Sequence, residues 1–304
     1  MGIMRLGYIH MKVTDMEEAK NHYANLLGLY EVKAEGNKVW YKGWDEWDHH
    51  SVVLEEGGVG VTKFGYKVEY EDDIAEIEKK AQAFGATVER MSAGDNPEVG
   101  DGIRMVGPSG HTLEVYHSMT EYGTEVGTHN PEAFPRHLVG IGAPCLDHAL
   151  MSTPNVKEQE EFFKATFDYF TTERVDTTLE DDADTIAVWM TNNNIYHQMA
   201  VLNGPQGGIH HFAFRLEDWN EVGRAADLMA MDDTPIDIGP TRHGITRGRT
   251  VYFFDPSGNR NEVFAGGLMS HRDRPMVTWT ADQVGKGIFY HARELNERFT
   301  TVFT

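Results

Sequence analysis

Short apolar runs alternate along the chain with segments of helical spacing, and the alternation repeats. From Thr14, with Glu17 three positions on as a capping box, Ala19, Tyr23, Leu26 and Leu27 fall on one helical face until Gly28 ends the run. Strand-like runs follow at Lys38 to Tyr41 and at Ser51 to Leu54. A new strand opens near Phe64, and a second helical pattern from Asp72 to Phe84 stops at Gly85. More strands follow, the last two joined by a tight turn at Pro108-Ser109-Gly110. Strand, helix and strands thus form a unit of roughly 50–60 residues.

The second half copies the first. Gly107-Pro108-Ser109-Gly110-His111-Thr112-Leu113-Glu114-Val115-Tyr116 shares its frame with Asp255-Pro256-Ser257-Gly258-Asn259-Arg260-Asn261-Glu262-Val263-Phe264: Pro-Ser-Gly, three variable residues, then Glu-Val-aromatic. Upstream, Phe64 to Asp72 resembles His210 to Asp218, and Tyr8-Ile9-His10-Met11 resembles Leu146-Asp147-His148-Ala149. Three matches in one order make the chain a duplication, with four units in all. A unit this small cannot bury both faces of a sheet, so pairs should curl together into one domain. The Gly- and Pro-containing stretch from Thr120 to Pro144 is the expected connection, dividing the chain into domains 1–130 and 131–304. A last segment opens on Thr280 and Gln283, a second capping box. Its apolar stripe of Val284, Ile288, Ala292, Leu295 and Phe299 predicts a C-terminal helix docked on the second domain.

Composition narrows the function. The 304 residues carry a net charge of −21, which repels nucleic acid and anionic membrane surfaces. No apolar run approaches the roughly 20 residues of a membrane span, and no signal-peptide core follows the first residues. One cysteine, Cys145, excludes an internal disulfide and fits a reducing compartment, so a cytoplasmic protein is expected. The 15 histidines are the compositional oddity.

His148, His211 and Glu262 fall at the first strand of the third unit, the first of the fourth and the last of the fourth. Two imidazoles and one carboxylate on one face leave three adjacent positions open, the triad suited to non-haem Fe(II). Zinc accepts the same ligand types; the bland alternative is three unrelated polar residues in half-buried strands. The first half has His10 and Glu114 at the matching places but Gly65 where His211 stands, so it is expected to bind no metal. By period-two alternation His210 points away from His211, and the match to Gly65 selects His211. Cys145 lies an odd number of residues before His148 and reads as a small core hydrophobe. His49-His50 reads as surface, and the acidic run Glu180, Asp181, Asp182 and Asp184 as a solvated loop without a calcium-site pattern.

With these residues in view, the chain resembles the type I extradiol ring-cleaving dioxygenases of the vicinal-oxygen-chelate superfamily, their catechol 2,3-dioxygenase branch in particular. The resemblance spans essentially the whole chain. It is densest in Ile236-Asp237-Ile238-Gly239-Pro240-Thr241-Arg242-His243-Gly244 and Tyr252-Phe253-Phe254-Asp255-Pro256-Ser257-Gly258-Asn259-Arg260-Asn261-Glu262-Val263-Phe264. Trp279-Thr280, Phe289-Tyr290-His291 and Leu295-Asn296-Glu297-Arg298-Phe299 extend it. A shortened stretch between His197 and His211 departs from the pattern. The resemblance implies an α+β fold of four βαβββ modules paired into two similar domains, with Fe(II) in the second and Mn(II) as the alternative ion. It implies His148, His211 and Glu262 as ligands, His197, His243 and Tyr252 as catalytic residues, and a homotetramer. Trp189, Ile245, Ile288 and Phe299 stand near the matching pocket positions. The implied reaction is ring opening of catechol by O2 beside its two hydroxyls, to 2-hydroxymuconate semialdehyde. Rival readings are a substituted catechol (3-methylcatechol, a chlorocatechol or 2,3-dihydroxybiphenyl), a glyoxalase-like metalloenzyme, and a metal-free aromatic-binding module.

Overall fold

Four successive modules of one strand, one helix and three strands build two mixed sheets in the computed structural model, which describes residues 2–304. The first module holds β1 (Ile3–Val13), α1 (Met16–Lys20, continued by a π-helical turn Asn21–Leu26), β2 (Tyr30–Glu35), β3 (Lys38–Lys42) and β4 (Val52–Glu56). The second holds β5 (Gly60–Val68), α2 (Asp72–Phe84), β6 (Val88–Met91), β7 (Gly102–Val106) and β8 (Thr112–Tyr116). The third holds β9 (Cys145–Thr153), α3 (Val156–Phe167), β10 (Phe170–Asp176), β11 (Thr185–Thr191) and β12 (Met199–Asn203). The fourth holds β13 (Gly208–Leu216), α4 (Trp219–Met231), β14 (Ile236–Arg242), β15 (Gly248–Phe254) and β16 (Arg260–Gly266).

In every module the first strand pairs in parallel with the last, and the two modules of a half join through antiparallel first strands. The sheets run β2-β3-β4-β1-β5-β8-β7-β6 and β14-β15-β16-β13-β9-β12-β11-β10, with β17 (Val277–Thr280) added to the edge of the second. This is the expected α+β duplication. No helix among the described residues is long and apolar enough to cross a membrane.

The Pro-Ser-Gly turns do more than join strands, because each reaches into the other half. Ser109 N donates to Gln159 Oε1 at 2.7 Å and Gly207 N to Ser109 O at 2.8 Å. Reciprocally, Thr14 N donates to Ser257 Oγ and Gly60 N to Asn259 Oδ1, both at 2.8 Å. Tyr23 donates to Asp255 at 2.9 Å beside the His22–Asn261 contact at 2.7 Å, so the buried seam between the halves is hydrogen-bonded.

Two helix expectations change. Asp15, not Thr14, caps α1, its Oδ1 accepting from Glu18 N at 2.9 Å, while Thr14 is drawn to Ser257. The C-terminal stripe does dock on the second half, but in pieces: a 3-10 turn Ala281–Gln283, α5 (Val284–Ile288) and α6 (Glu297–Thr301). Gly287 O accepts from Gly244 N and Ile245 N, and Tyr290 N donates to Arg242 O. Those bonds take backbone groups that a continuous helix would use for itself.

Candidate metal centre

His148 stands on β9, His211 on β13 and Glu262 on β16, three neighbouring strands of the second sheet. Their ligand atoms lie within 4.8 Å of one another, and all three residues are at least 96% buried. Glu262 Oε2 is 3.0 Å from His148 Nε2 and 3.1 Å from His211 Nε2. Thr250 donates to the other oxygen, Oε1, at 2.5 Å. His148 Nδ1 donates to Asp147 Oδ2 at 2.7 Å, so the ring is held from behind by a carboxylate, as metal-bound imidazoles commonly are.

Beta-bulges place these residues. Asp147 has no partner on β13, and His210 has none on β9. The first half carries the same irregularities at Gly7 and Thr62. Aligned through them, Tyr8 opposite Gly65 corresponds to His148 opposite Ala213, and His10 opposite Lys63 corresponds to Leu150 opposite His211. Two expectations are therefore corrected. The first-half counterpart of His148 is Tyr8 rather than His10, and the counterpart of His211 is Lys63 rather than Gly65. Gly65 is a glycine because a Cβ there would run into the Tyr8 ring.

The consequence is a carboxylate neutralised by protein cations in place of a metal centre. Glu114 accepts from Tyr8, from Lys63 Nζ at 3.2 Å, from Asn96 Nδ2 at 2.8 Å and from Arg104 Nε at 2.7 Å. His10 turns instead to Glu55, 2.8 Å away.

Glu262 has no such neutralisation. No lysine or arginine lines the cavity in which it sits. Burial alone would lower the His148 imidazole, but Asp147 and Glu262 outweigh it and push it up to about 9. Burial pushes His211 down to about 4 against the pull of Glu262. Burial would raise Glu262, yet its bonds to His148 and His211 hold it well below the usual carboxylate range. One cation's charge thus belongs in this cup, and without metal a proton on His148 supplies it. The donor set fits a divalent metal that displaces this proton on binding. Metal affinity should accordingly rise about tenfold per pH unit between pH 6 and 8, one proton leaving per ion. Anaerobic titration against a chelator at several pH values measures that slope; a flat profile would remove the proton from His148.

His197, beyond the end of β11, lies face-near His148 with ring centroids 4.1 Å apart. Burial, then His148, holds its pKa well below 6.5. His243 Nδ1 donates to Ile288 O at 2.5 Å, which leaves Nε2 to accept from Tyr252 OH at 3.0 Å. Burial keeps the Tyr252 phenol protonated, its pKa well above 10. Trp189, Ile245, Ile288 and Phe299 line the same cavity. All the residues singled out in the sequence for catalysis, metal and substrate therefore converge on one chamber.

Other readings do not survive. His49 and His50 are buried rather than on the surface, covered where the 118–125 stretch bonds back through His49 N to Thr120 O and Tyr122 N to Trp47 O. Cys145 is half-buried on a cleft between the halves, not in the core, because the bulge at Asp147 breaks the alternation. His210 does not point away from His211: the bulge brings their Nδ1 atoms within 2.7 Å. The acidic run Glu180 to Asp184 does lie in an exposed loop. Sequence reasoning missed Thr250 and Asp147. Thr250 had a signal, two residues before Tyr252 on the same strand face; Asp147 had none, since a bulge sets its direction.

Paired βαβββ modules with a two-histidine, one-glutamate cluster in one cup define a metal-dependent class of enzymes. Residues 145–263 match the Glyoxalase/Bleomycin resistance protein/Dioxygenase superfamily, and residues 63–126 match the Catechol 2,3-dioxygenase-like N-terminal domain. Metapyrocatechase of Pseudomonas sp. (strain CF600) is 42% identical, the alignment covering 100% of this chain and 99% of that protein. The crystal structure of the 2,3-dioxygenase LapB from Pseudomonas sp. KL28 is 36% identical with a TM-score of 0.88, covering 92% of this chain and 98% of that one. A manganese-dependent 2,3-dihydroxybiphenyl 1,2-dioxygenase of Geobacillus genomosp. 3 is 26% identical over 96% of this chain and 95% of that protein. The chain belongs to the extradiol ring-cleaving dioxygenases.

Proposed function

We propose that this cavity opens catechol with O2 to 2-hydroxymuconate semialdehyde, both oxygen atoms entering the product, in the degradation of aromatic compounds. His148, His211 and Glu262 hold Fe(II) for this reaction. The observation that carries the reading is a buried carboxylate between two imidazole nitrogens, in a largely apolar chamber lined by no lysine or arginine. Fe(II) bound there supplies the electronic path between the diol and O2. Mn(II) accepts the same donors and is the alternative ion.

The chain's own groups handle ring and protons. His197, which lines the chamber, takes a proton from a diol hydroxyl and returns it as the ring opens. The Tyr252 hydroxyl donates its hydrogen bond to His243 Nε2, so its oxygen keeps lone pairs to receive a substrate hydroxyl. Trp189, Ile245, Ile288 and Phe299 hold the ring and exclude water.

The domain division at residue 130 and a cytoplasmic homotetramer belong to the same reading. The resemblance supports the tetramer, and exposed Phe134, Leu138 and Val139 on the connection offer apolar surface for it.

Oxygen uptake by anaerobically purified, Fe(II)-loaded protein mixed with catechol in aerated buffer tests the reaction. One mole of O2 per mole of catechol, with a yellow product, is expected. Binding of iron and catechol without oxygen consumption would overturn the reaction. Comparing kcat/KM for catechol, 3-methylcatechol, a chlorocatechol and 2,3-dihydroxybiphenyl then ranks the substrates.

A further inference from the structure

Each candidate ligand histidine directly follows a bulge residue, and each bulge residue bonds the ligand's Nδ1. On a regular strand residues 210 and 211 would face opposite sides; the bulge turns them together. His210 then reaches in two directions. Its Nε2 lies 2.6 Å from the carbonyl oxygen of Phe299 in α6, and its Nδ1 lies 2.7 Å from His211 Nδ1. A carbonyl can only accept, so the His210 proton sits on Nε2 and Nδ1 keeps a lone pair. His211 Nδ1 must donate to that lone pair, and the lone pair of His211 falls on Nε2, the atom facing Glu262.

We propose that His210 is a positioning residue that fixes the metal-binding tautomer of His211 and ties it to the seating of the C-terminal segment. This rests on the reading of His211 as a ligand. The segment is fastened around the same residue. Ile209 N donates to Thr304 O at 2.8 Å and Thr304 N to Ile209 O at 3.1 Å, just ahead of the bulge. Arg260 donates to His210 O at 3.2 Å, Arg298 O at 3.1 Å and Val302 O at 3.0 Å. Phe299 and Phe303 pack on the His210 ring at centroid distances of 4.5 and 5.6 Å. In the first half the equivalent bulge residue is Thr62, whose hydroxyl serves His10 O at 3.0 Å, and the next residue is Lys63 rather than a histidine. At this bulge the histidine pair therefore occurs in the half that has the complete ligand set, while the first half has its own adjacent pair, His49 and His50, away from the bulge.

Two variants separate the hydrogen bond from the packing. His210→Phe keeps the ring and removes both nitrogens, whereas His210→Asn loses the ring and keeps an acceptor near Nδ1. Anaerobic Fe(II) affinity, measured against a chelator, should fall about 10–100-fold in His210→Phe and less in His210→Asn. The reverse order, or equal affinities, would make His210 a packing residue and overturn the proposal. His211→Ala serves as the control. Wild-type affinity there would bring down the ligand reading itself, while loss there with a normal His210→Phe would bring down the positioning role alone. Linkage adds a readout without turnover: Fe(II) should slow proteolysis of residues 296–304 in the wild type and leave its rate in His210→Phe unchanged. Equal protection in both proteins would separate the tail from the metal site.

Discussion

Glu262→Ala protein should fold, retain no iron and consume no oxygen with catechol. The carboxylate is the one anion inside the cup, 3.0 and 3.1 Å from the two imidazoles, and it brings the charge that lets a divalent ion stay in an apolar, buried chamber. Removing it leaves two neutral nitrogens and no counter-charge, so the loss should exceed the roughly 10–100-fold expected from changing a residue that only orients a ligand. Folding should persist, because no lysine or arginine loses a partner. Glu114→Ala supplies the opposite case at the equivalent place. There Lys63 and Arg104, 17% and 35% exposed, would be left without their carboxylate, and because water reaches both cations the cost should stay below the roughly 3–5 kcal/mol of breaking a fully buried pair. Glu114→Ala should therefore lower the urea midpoint while the folded fraction keeps iron, and His10→Ala should spare iron and turnover. Iron content, urea denaturation and oxygen uptake on the three variants check this. Normal iron retention in Glu262→Ala would break the assignment of the site.

The triad was legible because the Pro-Ser-Gly frame carries Glu262 onto Glu114 without a gap. The histidines were harder. Bulges at Gly7 and Asp147, and at Thr62 and His210, leave no mark in a hydrophobic pattern, and each shifts alternation by one residue. That is why His10 and Gly65 matched by text while Tyr8 and Lys63 match in space. The same shift hid the His210–His211 contact. The helix at Asp72–Phe84 was legible to the residue, since a local stripe and a terminal glycine decide it. The C-terminal stripe was not, because Gly287 and Tyr290 exchange backbone bonds with the 242–245 stretch far away in sequence. His49 and His50 looked solvated for a related reason: a connecting stretch that covers them has no periodicity to announce where it goes.

A variant that leaves the metal cup intact should separate binding iron from using it. His197→Phe keeps a ring of similar breadth against His148 and Phe264, with which His197 makes centroid contacts of 4.1 and 6.2 Å, so packing and iron retention should survive. The two ring nitrogens are gone. Proton transfer by a positioned side chain contributes about 10²–10⁴-fold, so kcat for catechol should fall by that range while iron content stays at the wild-type level. The KM should change little, since the walls formed by Trp189, Ile245, Ile288 and Phe299 are untouched. His197 suits this role better than the other buried imidazoles. His148 and His211 are committed to Glu262, His210 to Phe299 O and His243 to Ile288 O and Tyr252. His197 has ring contacts alone, which leaves its nitrogens for substrate. A kcat within tenfold of wild type in iron-replete His197→Phe would place the proton transfer elsewhere in the chamber, with His243 and Tyr252 the next pair to replace.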